Sequence, residues 1–380
     1  MKRIILVLSL IFLTAGCLVY LPYNQNQGQA PGAATYETPQ AYGEVTMSYI
    51  YGYLGQFGFW VEYQPYGYVW VPSSVPIYWR PYTNGRWIWT DYGWTWYSYF
   101  EWGWLPFHYG RWSWNRDLGW FWVPDVVWAP AWVAWRIGDF YLGWAPLPPG
   151  VEFSFDFGLR WPVRGLPDSY WIFIEARRFQ ENNLSYWILP PERNLTIINF
   201  TSLRDKFTIR NRRTIIDDAI RPEEIERIGR IPITRVKLKE VKQPTETGVG
   251  IDNLRIYRPE IARDKTTPKN ILNRDELEQK LKPLREAEKP ENLEEIHSRQ
   301  KTLLENTQKM EIENLKKQVQ EQVKASPPEE RQKKLSELQA KIEELKKKHD
   351  LEKRQLVKRQ SEEKQQVKRG QLKKKSDSGY

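Results

Sequence analysis

One phrase is copied along the chain, and it limits what the chain can become. Tyr66-Gly67-Tyr68-Val69-Trp70-Val71 returns as Tyr92-Gly93-Trp94-Thr95-Trp96-Tyr97, then as Leu118-Gly119-Trp120-Phe121-Trp122-Val123, each glycine 26 residues after the last. A second phrase runs between them: Asn84-Gly85-Arg86-Trp87-Ile88-Trp89, then Tyr109-Gly110-Arg111-Trp112-Ser113-Trp114. A fixed period of this size marks repeated supersecondary units. Sixteen of the 20 tryptophans lie between Tyr66 and Pro146.

Each unit reads as a β-hairpin. Trp87 and Trp89 alternate with other residues, as do Trp94 and Trp96, so each pair shares one face of a strand. Thr90-Asp91-Tyr92-Gly93 supplies the turn, with a glycine that accepts positive φ, and Asn115-Arg116-Asp117-Leu118-Gly119 does the same in the next unit. Cross-strand tryptophan pairs add about 0.2–1 kcal/mol each over alanine pairs. Prolines such as Pro72, Pro106 and Pro130 keep the strands short, because proline cannot donate to a central ladder. The expectation is a mainly β fold: Trp-rich hairpins over 45–150, opening with a strand around Phe59-Trp60-Val61.

Residues 151–261 read as a small β-rich or α+β extension. Tyr170–Ile174, Leu195–Phe200 and Phe207–Ile209 are β-rich runs. Pro222–Gly229 carries helix signals, with proline first, acids in the first turn and glycine last. Ile233–Leu238 alternates like a half-buried strand. From 262 to 380 the chain becomes a charged helical or coiled-coil tail. Leu335, Leu338, Ile342 and Leu345 are spaced as a coiled-coil seam, and Ile312, Leu315, Val319 and Val323 form a similar stripe. Pro327-Pro328 separates two expected helices, 291–325 and 328–369. The seam ends at His349 and Glu352, so the tail reads either as a solvated helical hairpin or as a partner-binding, self-associating coil over 291–369.

The net charge of +10 is concentrated in that tail: residues 1–150 carry −1, 151–261 carry +3 and 262–380 carry +8. A near-neutral aromatic region argues against specific nucleic-acid binding. The single cysteine, Cys17, forms no intramolecular disulfide, and the three histidines are scattered, so no metal or cofactor site is expected. Lys2 and Arg3 precede the apolar run Ile4–Leu13, which has the length of a signal-peptide core. Leu13-Thr14-Ala15-Gly16-Cys17 then resembles the lipobox of bacterial lipoproteins. By that resemblance the chain is cut before Cys17, which takes the lipid, and residues 18–44 are a flexible tether. A plain signal peptide or an uncleaved anchor is the alternative. Leu18 in place of an aspartate favours the outer membrane, on its periplasmic face.

Trp79-Arg80-Pro81-Tyr82, Gly85-Arg86-Trp87, Tyr92–Trp96, Trp102–Trp112 and Gly143–Pro149 together are similar to a family of exported bacterial proteins carrying Trp-x-Pro repeats, some paired with a FecR-like domain. The resemblance spans roughly 45–260. It implies a β-protein of the cell envelope and brings no catalytic residues with it. No FecR-like domain is seen; the charged tail stands there instead.

The tryptophans have two readings. They fill the core, since leucine and isoleucine are scarce in that region and each indole buries on the order of 200 Å². Or one face stays open, and Trp87, Trp89, Trp94, Trp96, Trp112, Trp114, Trp120 and Trp122 form a platform that stacks on cell-wall glycan or another envelope polymer. A glycan hydrolase is the rival class, with Glu62, Asp91, Glu101, Asp117, Asp125 and Asp139 among the aromatics. Asp91 and Asp117 recur with the repeat, as do Arg86 and Arg111, whereas a catalytic pair is singular. The leading expectation is a non-catalytic envelope lipoprotein with a glycan-binding β-domain and a partner-binding tail. The second is a scaffold acting through the tail alone.

Overall fold

A computed structural model describes residues 45–377 except 77, 155–157, 161–164, 211–213 and 287–289. Cys17, the signal segment and the tether lie outside the described residues. The repeat folds as expected, into four successive hairpins. These are Gly58–Tyr63 with Gly67–Pro72, Gly85–Thr90 with Gly93–Ser98, Arg111–Asn115 with Gly119–Val123, and Val133–Ile137 with Tyr141–Pro146. Their registers set tryptophan against tryptophan: Trp60 and Trp70, Trp87 and Trp96, Trp89 and Trp94, Trp112 and Trp122, Trp114 and Trp120, Trp135 and Trp144. Gly67, Gly93 and Gly119 share one backbone conformation, with φ of 73°, 80° and 74°. The copied glycine is thus the left-handed residue that lets each chain turn back. The glycine of the second phrase has another task. A Cβ on Gly85 or Gly110 would lie 2.3 Å from a carbonyl of the partner strand and 2.6 Å from the indole of Trp96 or Trp122. Its absence lets that indole lie across the backbone.

Hairpins one and three fuse where Trp70 pairs with Trp122, and Ile271–Leu272 adds a parallel strand beside Gly58–Tyr63, giving five strands. Hairpin four is flanked by Ile172–Glu175 and Ser202–Arg204 in a four-stranded sheet, and hairpin two forms a two-stranded sheet of its own. The indoles meet between these sheets. Trp87 sits 4.5 Å from Trp135 and 5.7 Å from Trp144, Tyr82 stacks on Trp87 at 6.0 Å, and Trp79 lies 5.4 Å from Trp112. Such edge and tilted contacts follow from the indole quadrupole.

Several expectations need correction. The strand expected at Phe59–Val61 is present within Gly58–Tyr63, but the β region opens ahead of it with a helix, α1 (Met47–Leu54), N-capped by the Thr46 hydroxyl. Its last-turn carbonyls are taken by hairpin one, with Trp60 Nε1 donating to Tyr51 O at 2.9 Å and Trp70 Nε1 to Leu54 O at 2.8 Å. That cap comes from another element and leaves no local mark. Leu195–Phe200 is helical, as α2 (Asn194–Ile197) followed by a turn of 3-10 helix, despite its β-branched composition. Asn194 fixes it by donating to Asp168 O and Trp171 O. Helix α3 (Pro222–Gly229) is as expected, while the strand sought at 233–238 runs over Lys237–Val241.

The tail forms α4 (Arg274–Glu286), α5 (Pro290–Lys324) and α6 (Pro328–Asp377), the last two broken at the prolines. Contacts cross position 261. Ile261–Ala262 pairs with Val45–Thr46, and Leu277 and Leu281 of α4 are buried against Val61, Val69, Val71 and Phe121. All described residues belong to one compact unit.

Candidate functional site

The open tryptophan platform is not formed. Trp87, Trp94, Trp96, Trp112 and Trp122 are at most 2 % exposed, Trp89 and Trp120 are half-buried, and Trp114 alone among the eight is exposed, at 49 %. The one-sided arrangement is real, but each hairpin's indole face is covered by another sheet. Within the repeated phrases, the exposed aromatics Tyr66 and Trp114 lie at the tips of hairpins one and three. There Tyr66 packs on Phe121 at 6.2 Å, Trp120 on Tyr170 at 4.8 Å, and the Tyr170 hydroxyl accepts from the Trp114 amide at 2.8 Å.

Three of the carboxylates among the aromatics have partners of their own. Asp91 accepts from the Leu238 amide, Asp117 pairs with Arg274 and Asp125 with Arg263. Glu62, Glu101 and Asp139 are exposed. Sequence reasoning missed the one carboxylate at the centre, Asp217, which is fully buried with both oxygens 2.9 Å from Trp135 Nε1. Its main chain accepts from the Trp94 amide and donates to Tyr92 O, pinning hairpin two to hairpin four. Burial pushes this carboxyl well above the usual carboxylate range, and neighbouring Asp218 adds to the shift. His108 is likewise buried and is pushed down to about 4 by desolvation, with Nδ1 3.0 Å from Ala129 O.

The densest polar constellation lies where the tail meets the β body. Arg193 is fully buried. Its Nη2 pairs with Glu311 of α5, and its Nη1 pairs with Glu352 of α6 at 2.5 Å. Tyr141 of hairpin four donates to Glu311 at 2.8 Å, His349 Nε2 sits 2.7 Å from the other Glu311 oxygen, and Gln308 donates to Glu352 at 2.8 Å. Burial alone would push the Arg193 guanidinium down; Glu311 and Glu352 reverse this and raise it. Burial likewise pushes Glu311 up, but His349, Arg193 and Tyr141 together bring it below its usual range. A second set follows two turns on, with Arg359 joining Glu192 of the body at 2.6 Å and Glu363 at 2.7 Å, and His297 of α5 joining Glu363 at 2.6 Å.

This constellation overturns the expectation that the seam stops at His349. Leu338, Ile342, Leu345, His349, Glu352, Leu356, Arg359 and Glu363 continue one 4-3 spacing, and every one is buried or half-buried. The face persists while its chemistry changes from apolar to polar. The available signal was the spacing itself.

Among the described residues, no group of three or more His, Cys, Asp and Glu is placed to hold a metal, and no helix is long and apolar enough to cross a membrane. Residues 51–151 match the model of DUF6600, described as a family of unknown function. The match covers all four hairpins and ends before the clasped helices. No curated protein and no solved structure matches the chain.

Proposed function

We propose that the chain is a non-catalytic, exported lipoprotein of the bacterial cell envelope, held by lipid on Cys17 at the periplasmic face of the outer membrane. The aromatic body is a rigid mount. The α5–α6 hairpin is the element that meets a protein partner. The observation that carries this reading is the buried clasp of Arg193 on Glu311 and Glu352, which fixes the hairpin to the body as a stiff arm. Beyond the clasp, Val319, Leu338 and Leu345 are buried yet belong to none of the body's core clusters, so this stretch of the arm is sealed by its own helix pairing. Lys316, Lys317, Lys333, Lys341, Lys346 and Lys347 are exposed along the same stretch, which suits a partner with an acidic surface. Capture from solubilised envelope tests this. Reversing Lys316, Lys317, Lys346 and Lys347 to glutamate should abolish co-purification of the partner while the thermal midpoint of the body stays constant. Undiminished capture by the reversed arm contradicts the reading.

A second reading rests on exposed Trp114. In it, glycan stacks at the hairpin tips, over Trp114, Tyr66 and Trp120, rather than on a broad platform. Sedimentation with purified cell wall distinguishes the two. Loss of wall binding in Trp114→Ala, with partner capture intact, supports the tip; unchanged wall binding removes it. A hydrolase is the reading with least support, and loss of wall-polymer turnover in Asp125→Asn or Glu101→Gln would be needed to revive it.

A further inference from the structure

The two copies of Gly-Arg-Trp diverge at the arginine. Arg86 Nη1 donates to Asn182 Oδ1 at 2.5 Å, so the chain itself supplies a ligand. Arg111 is 7 % exposed, and its Nη1 donates only to the adjacent Gly110 carbonyl, at 2.9 Å. Nε is buried without a partner in both. What differs is the surroundings. Arg111 borders a cavity of about 300 Å³, walled by Val123, Pro124, Val127, Pro149 and Val151. Its guanidinium lies flat over Trp132, 3.4 Å from the ring centroid. That contact fixes the plane of the guanidinium and holds the cation away from water. Among the described residues no carboxylate lies within ion-pair distance of it. Asp125, on the cavity rim, is already engaged through Oδ1 by Arg263 at 2.7 Å and by the Val126 amide at 2.7 Å. Burial pushes Arg111 down only to about 10, so it stays charged at neutral pH.

Asp125 on the rim is the nearest counter-charge but forms no ion pair with Arg111, so a buried, oriented cation beside a partly apolar cavity is open to an anion. Nη1 is taken by Gly110 and Nε is closed off from solvent, which leaves Nη2 as the donor for an anion in the cavity. Arg111 is the only cationic side chain in the lining, whereas a phosphate dianion is normally gripped by several donors. The valine and proline walls suit a small apolar body. We infer that this cavity is a binding site for a monoanionic carboxylate carried on a short apolar group, such as the C-terminus of a small peptide, with Arg111 as its anchor. The site draws on hairpin three and on the Pro149–Val151 turn that follows hairpin four.

The test uses the full chain labelled with 15N-arginine, following the Nε–Hε resonance of Arg111, identified by its loss in Arg111→Lys. The probes are N-acetylalanine, its uncharged amide and inorganic phosphate, each taken to tens of millimolar. N-acetylalanine should move the Arg111 resonance saturably, while the amide binds at least tenfold more weakly and the Arg86 resonance stays still. No saturable movement, or an equal response to the amide, overturns the site. Phosphate acting as strongly as N-acetylalanine overturns the carboxylate assignment. Arg111→Lys keeps the charge but loses the guanidinium that Trp132 orients, so calorimetry should show at least tenfold weaker binding of N-acetylalanine. Equal affinity in that variant also contradicts the inference.

Discussion

The β body and the helical arm bury their interiors in opposite ways. In the body, indoles facing indoles make the core, and two of its buried ionisable groups, Asp217 and His108, are driven toward their neutral forms. In the arm the same amount of order comes from a seam that turns ionic halfway along. There Arg193 and Arg359, of opposite elements, meet Glu311, Glu352, Glu192 and Glu363 in ion pairs. The body is therefore specified by its own repeated sequence. The arm is specified jointly, since half of its seam makes sense only against residues of the body. Buried ion pairs add little net stability but penalise a wrong partner or register heavily. In this protein they make one docking of the arm the only one that leaves no buried charge alone.

Substitutions can separate the two modes. The largest effect belongs to Gly93→Ala. Gly93 has positive φ, and a Cβ there would lie 2.0 Å from the Asp217 carbonyl oxygen, whereas Gly67 shares the φ with nothing within 4 Å. Gly67→Ala should cost only the left-handed penalty of about 1–2 kcal/mol. Gly93→Ala should cost well more than that and unfold the body, as read by denaturant midpoints. Similar costs at both sites would break the claim that the repeat's glycines differ only in their surroundings.

Arg193→Met comes next, at about 3–5 kcal/mol, because it strands two buried carboxylates. The loss should be confined to the arm, with near-UV dichroism of the tryptophans retained. Adding Glu311→Leu and Glu352→Met should recover much of it, since apolar residues of similar volume often replace buried ion pairs without loss. Failure of that rescue would show that the seam depends on charge for stability as well as for register.

A smaller effect is tied to pH. The folded Asp217 carboxyl lies above its unfolded value, so its contribution is complete below about pH 4 and declines as pH rises through the folded value, by at most about 1.4 kcal/mol per unit. His108, depressed by burial, acts the other way: its contribution is lost as pH falls below its unfolded value. Stability against pH is therefore read as the difference between wild type and Asp217→Asn, which should flatten the decline toward neutral pH. An unchanged slope would remove Asp217 as its source. The smallest effect is expected at exposed Trp114, where alanine should shift stability by no more than about 0.5 kcal/mol. Trp96→Ala, by contrast, should cost about 3–5 kcal/mol.

The same division governs what could be read from sequence. Hairpins two and three were legible because period-two tryptophans and a glycine at fixed spacing are local signals. Helices α3, α5 and α6 were legible from prolines and apolar spacing. Helix α1 was not, because the indoles of Trp60 and Trp70 complete its C-terminal end. Neither was the helical state of Leu195–Phe200, which Asn194 fixes through Asp168 and Trp171. The direction in which the indoles face was readable; what covers them was not, as that depends on how sheets stack. His349 and Glu352 looked like the end of a seam because hydrophobicity was weighed above spacing. The partner of Glu352, Arg193, lies far away in the chain and carries no mark of its role.

Native-state hydrogen exchange on wild type and Arg193→Met tests the central claim most directly. If the arm is clasped to the body, amides over 304–311 and 345–356 exchange slowly in the wild type and much faster in the variant, while those of hairpins two and four keep their protection. Equal exchange of those arm amides in the two proteins would contradict the clasp, and with it the stiff arm on which the proposed function rests.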